Sequence, residues 1–534
     1  MSLTVADKIT RAGRNAVVLG RNTNQALGIA RFAIDFLKGA LGKGPDPSVI
    51  AKVEQFHTDS VICGLSALAL RTNAPTVLRE EALQYSWPSG GAKVFGSNNL
   101  VAPEKAICAN VAAVREWDSN GTVFGYNSLF GKGHIAGEFG HNDFYPVVIA
   151  ACQIQGLDGK TAAHAMILLD EIRGRLAEVF SLKTYKIDHV VHGAIASAAT
   201  YGALLNATEK QIESAIGMVV AHYIPFRAIR AGHQLSDSKG SSAALSTEVA
   251  IMSMHRSMRG FVGPADIFRN PEAIFRFFEP RPKGNHDSPF DIVLSHSGKD
   301  FAVMGMHFKL GLYEHQSAGA LQGIINLFQA SPHLAKSADC IRSIKIVAYE
   351  PAFGIIGDPA KRKPTTRQSA DHSMVFIVSR LIMKALQLGP EGIAEASRDG
   401  TDTLWQKLIL TPSDFNKDAL VCSETRALMD KIEFEHGGPT YDAKYPDGIP
   451  TSVIITDDLD DLHDSGLVMY PAGHARNTDA DLTAILKNKF QVLGALAVHD
   501  PSSLVENLSD LANKTPTEIA GLYDCELQLR DPID

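Results

Sequence analysis

The sequence predicts a large all-helical domain followed by a smaller α+β domain, and two patterns support this fold class. Over roughly the first 275 residues, apolar side chains recur at the three- and four-residue spacing of helices. After about residue 300, short β-branched or aromatic runs appear, each bounded by Gly, Pro or Asp. We therefore place the helical domain at residues 1–295, completed by 479–534, and the α+β domain at 296–478.

Four stretches rich in Ala, Leu, Ile and Val carry the helical prediction: 147–157, 161–180, 193–205 and 209–222. In the last of these, Ile212, Ile216 and Val219 fall on one helical face. The small residues of "HGAIASAATYGALL" favour close contact between helices in a bundle interior. No alternating pattern typical of strands competes over this half, so we expect it to be helical throughout.

The strand prediction for the second half depends on four runs: "IRSIKIVAYEP", "KIEFEH", "TSVIITD" and "GLVMYP". Between them, "HSMVFIVSRLIMKALQL" predicts a long helix. This order is typical of an α+β domain with antiparallel strands. The last stretch, 479–534, returns to helical periodicity, and we expect it to pack back on the first domain.

Composition excludes several classes of partner. The chain has 534 residues, 45% of them hydrophobic and 21% charged, which is ordinary for a globular protein. Its formal net charge of -8 repels polyanions, and no basic run carries interleaved aromatics, so no nucleic acid is expected. No apolar run approaches the roughly 20 residues that span a bilayer, so no membrane partner is expected either.

The cysteines and the N-terminus bear on compartment and cofactors. Six cysteines are dispersed with no Cys-x-x-Cys, which disfavours a disulfide framework and a zinc or iron–sulfur site. We expect no metal and no other cofactor. The N-terminus lacks a secretory apolar segment, although residues 8–31 carry several basic side chains and few acids. The expected location is the cytoplasm or, in a eukaryote, the mitochondrial matrix.

Familiar nucleotide and hydrolase motifs are missing from the sequence. "GKGHIAGEFGH" does not have the G-x-G-x-x-G spacing of a dinucleotide loop. "SDSKGSS" lacks the upstream glycine of a phosphate loop. Neither a G-x-S-x-G nucleophile elbow nor an H-E-x-x-H zinc motif occurs.

Two polar clusters offer groups for proton transfer. The first combines "REWDSNGT", which contains Asp118, with "GHND", which contains His141 and Asp143. The second is "DHVVHGA", in which Asp188 and His189 open an Ala-rich helix. A carboxylate beside a histidine can orient the imidazole for acid–base work, and it can equally cap a helix. Both interpretations stay open for each cluster.

A third cluster offers cations. Arg227 and Arg230 are three residues apart, and Lys239 lies where a Gly/Ser-led helix is expected to begin. A Lys there opposes the helix dipole by about 0.3–1 kcal/mol, and a bound anion would offset that cost. The alternative is a solvated basic surface. Together with His315 in "FKLGLYEHQSAGAL", these groups suit removal of a proton next to a carboxylate, because fixed cations stabilise the developing charge.

At these residues the chain resembles the MmgE/PrpD family. The resemblance is carried by "REWDSNGT", "GEFGHND", "DHVVHGAIASAATYGALL", "RAIRAG", "SKGSSAA", "FKLGLYEHQSAGAL", "ADHSMVF" and "YPAGHAR", in that order. It implies a large helical domain with a smaller α+β lid domain. It also implies action on small di- and tricarboxylic acids at a carbon next to a carboxylate, without an iron–sulfur cluster.

The resemblance also implies residue roles. The expected catalytic residues are Asp118, His141, His189, Lys239 and His315. The expected substrate-binding residues are Asn120, Thr122, Arg227 and Arg230. Gly121 departs from the family loop D-x-N-D-T, which has a second acid there, and Asn142-Asp143 replaces the usual Pro-Ser. Which group acts as the base stays open.

The resemblance favours a metal-independent hydro-lyase that converts 2-methylcitrate to 2-methyl-cis-aconitate in propionate breakdown. One alternative is an itaconate-forming cis-aconitate decarboxylase of the same family. "DHVVHGA" lacks the Pro associated with that activity, which favours dehydration. A second alternative is a non-catalytic helical scaffold. The expected partners are a small tricarboxylate and a second copy of the chain in a homodimer.

Overall fold

The computed structural model describes residues 15–123, 140–230, 234–398 and 400–534. Within them, the part that precedes residue 295 is built largely from ten α-helices: α1 (Gln25–Leu37), α2 (Pro47–Ala69), α3 (Asn73–Leu83), α4 (Pro103–Glu116), α5 (Tyr145–Gln155), α6 (Gly159–Val179), α7 (Val190–Leu204), α8 (Glu209–His222), α9 (Asp237–Met258) and α10 (Ile274–Phe278). The four predicted helical stretches correspond to α5, α6, α7 and α8, which confirms them.

Helix α7 lies in the interior of this bundle, packed against α6, α8 and α9. Its sequence is rich in alanine and glycine, and nearly every residue in it is buried. At Gly193 an added Cβ would overlap the ring of Phe144, so only glycine permits this approach. The small residues therefore place α7 deep in the core, as the sequence predicted.

Two short sheets lie in this helical part, where we expected no strands. Strand β1 (Ala16–Leu19) pairs antiparallel with β4 (Ile292–Ser295), and β2 (Ala92–Lys93) pairs antiparallel with β3 (Leu100–Val101). The expectation of an all-helical first half is therefore wrong in detail. Strands of two to four residues are too short to produce a clear alternation in the sequence.

The second part contains a four-stranded sheet in the order β6-β5-β7-β8. Its strands are β5 (Ile341–Ala348), β6 (Ile432–His436), β7 (Thr451–Asp457) and β8 (Leu462–Asp464). The β5–β7 and β7–β8 pairs are antiparallel, as expected, but β5 and β6 are parallel. Parallel strands need a long crossover, and helical residues between β5 and β6 supply it.

The fourth predicted strand is wrong. In "GLVMYP" only Val468 pairs with the sheet, through a single bridge to Thr451, and β8 lies just before this run. Gly466 has a φ of 66°, which turns the chain away from an extended conformation.

Helices of the second part flank the sheet. They are α11 (Ala318–Ala330), α12 (Arg367–Ala370), α13 (Met374–Ala396), α14 (Asp402–Lys407), α15 (Lys417–Val421), α16 (Ser423–Asp430) and α17 (Gly438–Asp442). Helix α13 contains the predicted long helix. It kinks at Gly389, whose φ is 72°, directly before Pro390.

The C-terminal stretch is helical, with α18 (Leu482–Ala497), α19 (Pro501–Leu508) and α20 (Pro516–Ala520). Helix α18 packs on α2 in the first part of the chain, as expected. The exact domain boundaries stay a prediction. Among the described residues, no single helix is long and apolar enough to cross a membrane. Helices α2 and α3 reach the required length and apolar composition only when they are taken together, and the pair is bent by 90°.

Candidate active site

One cavity lies where the helical part meets the segments around residues 314 and 372. Seven of the nine predicted site residues line it: Asp118, Thr122, His141, His189, Arg227, Arg230 and Lys239. Five further polar side chains line it that were not predicted to belong to the site: Arg115, Glu314, Gln316, Lys361 and His372. Five cationic side chains and two carboxylates therefore line one cavity in the described part of the chain.

Asp118 lies at the centre of a cage of nitrogen groups. It follows the end of α4, and its carboxylate is 1% exposed. Arg115, one turn earlier, lies 3.2 Å from it, and Lys309 forms a direct ion pair with it. His372 Nε2 lies 3.2 Å away and Lys239 Nζ 3.7 Å away.

This cage fixes the charge of Asp118. Burial alone would raise the pKa of the Asp118 carboxyl, but Arg115, Lys309, His372 and Lys239 outweigh it and hold that pKa well below its usual value. A carboxylate with such a low pKa is a poor proton acceptor near neutral pH. Asp118 therefore organises the cations of the site.

Lys239 belongs to the first turn of α9, which begins at Asp237 and not, as expected, after the lysine. Its Nζ donates to Asp371 Oδ1 at 2.9 Å, and burial lowers the pKa of its ammonium against the pull of Asp371 and Asp118. His372 Nδ1 contacts the same Asp371 oxygen at 2.7 Å. Asp371 thus connects α9 to the segment before α13. Its negative charge also offsets the unfavourable interaction between the Lys239 ammonium and the N-terminal end of the α9 dipole.

Asp188 and His189 form an oriented pair. His189 Nδ1 lies 3.3 Å from Asp188 Oδ1, and the guanidinium of Arg230 holds both oxygens of Asp188. Burial is the largest influence on His189 and lowers the pKa of its imidazole. Asp188 raises that pKa, but Arg230 and Arg227 lower it again, so it stays well below its usual value. The imidazole is therefore neutral at physiological pH.

His141 faces the same cavity from the loop before α5. Its Nε2 lies 3.4 Å from the Arg115 guanidinium, and its ring lies 5.4 Å from that of His189. Burial and then Arg115 hold the pKa of His141 well below its usual value. Because Nε2 faces a permanent donor, this imidazole is less available as a base than that of His189.

Two predicted residues do not line the cavity. Asn120 donates to Asp143 at 2.6 Å within the buried loop. His315 stacks on His307, with ring centroids 5.0 Å apart, and His307 stacks in turn on His474 at 3.9 Å. Burial and Lys309 lower the pKa of His315 well below its usual value, so this imidazole is neutral as well.

Glu314 differs from Asp118. It is 9% exposed, and its Oε2 accepts from the backbone N–H of Gln316 at 2.8 Å. Within the described residues, no cationic nitrogen pairs with its carboxylate. Burial, and next the charge of Asp118, raise the pKa of Glu314 to about 7 against the opposing attraction of Lys309 and Lys361.

Gly121 occupies the position where the family loop has its second acid. A Cβ at this glycine would overlap Asn142 Oδ1 and the ring of Phe56. Its carbonyl accepts from the N–H of Asn142 at 2.9 Å. No room for a carboxylate exists at this position in the present packing.

Lys489 of α18 fixes the loop that follows Asp118. Its fully buried Nζ donates to Asp59 Oδ1 at 2.6 Å, to Ser119 O at 2.7 Å and to Lys309 O at 2.8 Å. The C-terminal helix therefore positions both the loop and the lysine that pairs with Asp118.

The oxygens and nitrogens of Asp118, Asp371 and His372 lie within 4.8 Å of one another, a spacing that also suits a metal ion. Both carboxylates already face cations, namely Arg115, Lys239 and Lys309. Adding a divalent ion would place it beside three positive groups, at a large electrostatic cost. These residues therefore fit an anionic ligand better than a metal.

Short-range sequence patterns could not identify most of the missed residues. Lys309 and Glu314 lie in the quoted "FKLGLYEH", and His372 in "ADHSMVF", but no spacing rule links them to Asp118. Arg115 lies one helical turn before Asp118, and that spacing was a usable signal.

The chain is similar to known proteins over most of its length. Residues 34–285 match the MmgE/PrpD N-terminal domain. The 2-methylcitrate dehydratase of Escherichia coli K12 is 22% identical over 440 residues, which cover 81% of this chain and 83% of the relative. The mitochondrial 2-methylcitrate dehydratase of Yarrowia lipolytica is 24% identical over 484 residues, 87% of this chain and 84% of the relative.

A dehydratase with a differently named substrate also appears among the relatives. An alkylcitrate dehydratase of a fungal species is 23% identical over 371 residues, 68% of this chain and 65% of the relative. All three names describe the removal of water, which is lyase chemistry. Residues 34–285, just under half of the chain, resemble the MmgE/PrpD N-terminal domain, and the three relatives, matched over two thirds or more of this chain, are named dehydratases.

Proposed function

We propose that this protein is a metal-independent hydro-lyase that dehydrates 2-methylcitrate to 2-methyl-cis-aconitate. The observation that carries the proposal is the buried cavity lined by five cationic side chains beside an oriented Asp188–His189 pair. A tricarboxylate brings negative charges that match these cations. Relatives named as 2-methylcitrate and alkylcitrate dehydratases support an alkylated citrate as substrate.

Substrate carboxylates are held by cations that line the cavity. Arg227 and Arg230 form one 3₁₀ turn, and Lys239 faces the same cavity from the first turn of α9. Arginine presents paired N–H donors to a carboxylate, and lysine adds a point charge. These groups also stabilise the charge that develops when the neighbouring carbon loses its proton.

His189 is the general base of this proposal. Asp188 Oδ1 lies 3.3 Å from Nδ1, and neither ring nitrogen has a hydrogen-bond partner among the described residues. The nearby carboxylate favours the proton on Nδ1, which leaves the Nε2 lone pair for the substrate. When Nε2 takes the proton, Asp188 stabilises the resulting imidazolium. The C–H electron pair then forms the double bond as the C–O bond breaks.

The variant His189→Gln tests this assignment. We expect kcat for 2-methylcitrate to fall about 10²–10⁴-fold, because the base is removed and the cationic lining remains. Products are identified by NMR, with His222→Gln as the matched control because His222 is exposed. An unchanged rate refutes the base assignment. Release of carbon dioxide and itaconate from cis-aconitate assigns the decarboxylase activity instead.

We also propose that the chain works as a homodimer, as the family resemblance implies. Light scattering of the purified protein then gives about twice the chain mass of 57.5 kDa. A species of the single-chain mass at working concentration contradicts the dimer.

A further inference from the structure

We propose that Glu314 is the general acid that protonates the leaving hydroxyl group. This inference rests on the proposed function and adds a catalytic group that the family resemblance did not supply. Three observations support it: the position of Glu314 in the cavity lining, its lack of an ion-pair partner, and the exclusion of the other lining carboxylate.

The position of Glu314 is fixed from both sides. Its backbone N–H donates to the carbonyl of Asp371 at 3.0 Å, and its Oε2 accepts from the N–H of Gln316 at 2.8 Å. The side chain thereby caps the 3₁₀ turn His315–Ser317, which leads into α11. One carboxyl oxygen is used in this cap, and no described group hydrogen-bonds to Oε1. Oε1 is the atom that can carry the transferable proton.

Glu314 is the lining carboxyl group that can be protonated. Asp118 is held anionic by the nitrogen groups around it, so it has no proton to give. Glu314 has no such cage, and burial with the charge of Asp118 favours its neutral form. A tricarboxylate in the cavity adds further negative charge, which favours the neutral form again. The protonated acid is therefore the expected state in the substrate complex.

Charged and titratable groups face Glu314 from several elements. Asp118 follows α4, Lys309 precedes the capped turn, and Lys361 ends the 3₁₀ turn Pro359–Lys361. Tyr349 lies on the segment after β5, and burial, followed by the charges of Tyr445 and Glu314, raises the pKa of its phenol well above the usual value. The two lysines oppose protonation and the acid favours it, so the proton affinity of Glu314 depends on all of them.

Dehydration requires one proton acceptor and one proton donor. His189 takes the proton from the carbon next to the carboxylate, and the C–H electron pair forms the double bond. The C–O bond breaks, and the departing oxygen takes the proton from Glu314 and leaves as water. His189 is then protonated and Glu314 is ionised. After product release, His189 returns its proton to solvent and Glu314 regains one.

Glu314→Gln tests this role because glutamine keeps an oxygen that can accept from Gln316. We expect kcat for 2-methylcitrate to fall about 10²-fold or more, with Kd for citrate changed by only a few-fold. In the wild type, kcat decreases as pH rises and Glu314 loses its proton, and this decrease is absent in the variant. Glu350→Gln is the control, because Glu350 is an exposed glutamate outside the cavity.

A binding measurement covers the case of a variant that folds poorly. Calorimetry of citrate binding in buffers of different ionisation enthalpy should show proton uptake by the wild type above pH 7, since the anion favours the neutral acid. An unchanged kcat in Glu314→Gln, or an absence of proton uptake in the wild type, overturns the role of Glu314. If the wild type forms no unsaturated acid at all, the proposed function itself fails.

Discussion

At the scale of single residues, the charge of each site group depends on its immediate partners. Asp118 and Glu314 are both buried acids in one cavity, yet their pKa values shift in opposite directions. Cations and a histidine surround the first, and no cation among the described residues pairs with the second. Partner geometry therefore decides which acid organises cations and which can move a proton.

Gly121 gives a prediction about stability. In Gly121→Ala the new methyl group overlaps Asn142 and Phe56, and overpacking of this kind costs about 1–3 kcal/mol. Urea unfolding should show a lower midpoint than wild type. Gly305→Ala is the control, because a Cβ there meets nothing within 4 Å. Equal midpoints for both variants would show that the loop adapts without strain.

The site residues were only partly predictable, for a residue-scale reason. Asp118, His189 and Lys239 lie in compact polar motifs, and the sequence identified all three. Lys309 reaches Asp118 across 191 positions. A sequence pattern over a few residues cannot indicate such a contact, because the two side chains meet only when the chain folds. The same limit left Glu314 without a role.

At the scale of elements, the C-terminal helix α18 supports the site from a distance. Lys489 joins Asp59 on α2, the carbonyl of Ser119 and the carbonyl of Lys309. The sequence indicated that this stretch returns to the first part of the chain, and the packing of α18 on α2 agrees. The sequence did not indicate that a buried lysine would form the link.

Lys489→Met tests this link. The change leaves the buried Asp59 carboxylate unpaired, which costs about 3–5 kcal/mol. The free energy of unfolding in urea should fall by that amount, and activity should fall because Lys309 and the Asp118 loop lose their anchor. Lys487→Met is the matched control on the exposed face of the same helix. A similar loss in both variants would contradict a specific role for Lys489.

Helix predictions were more accurate than strand predictions for a physical reason. The long helices α6 and α13 contain many turns of periodic pattern. The strands β1 and β2 have four and two residues, so they contain almost no pattern. The parallel pairing of β5 and β6 depends on the path of the intervening helices, which strand composition does not encode.

At the scale of the whole molecule, buried neutral histidines make stability depend on pH. Burial lowers the pKa of His57 to about 3, and burial with smaller terms lowers those of His192 and His372 to about 4. Each folded pKa lies below the usual 6.5. The contribution of these neutral histidines to folding stability is therefore complete above pH 6.5. It is lost as the pH falls toward their pKa values in the folded protein.

We therefore expect the free energy of unfolding to fall between about pH 6.5 and pH 4. His57→Leu should flatten this decline because it removes one of the titrating groups, and neither nitrogen of His57 has a hydrogen-bond partner among the described residues to lose. Urea unfolding at several pH values measures the slope, with the exposed His222→Gln as control. Identical slopes in all three proteins would show that carboxylates alone govern acid unfolding.

The central claim is that a cationic cavity removes water from a tricarboxylic acid without a metal. The most direct measurement is the ultraviolet absorbance of the unsaturated acid formed from 2-methylcitrate by chelator-treated protein. We expect steady formation of 2-methyl-cis-aconitate at a rate that the chelator does not change. No unsaturated acid, or a rate restored only by added metal, would contradict it.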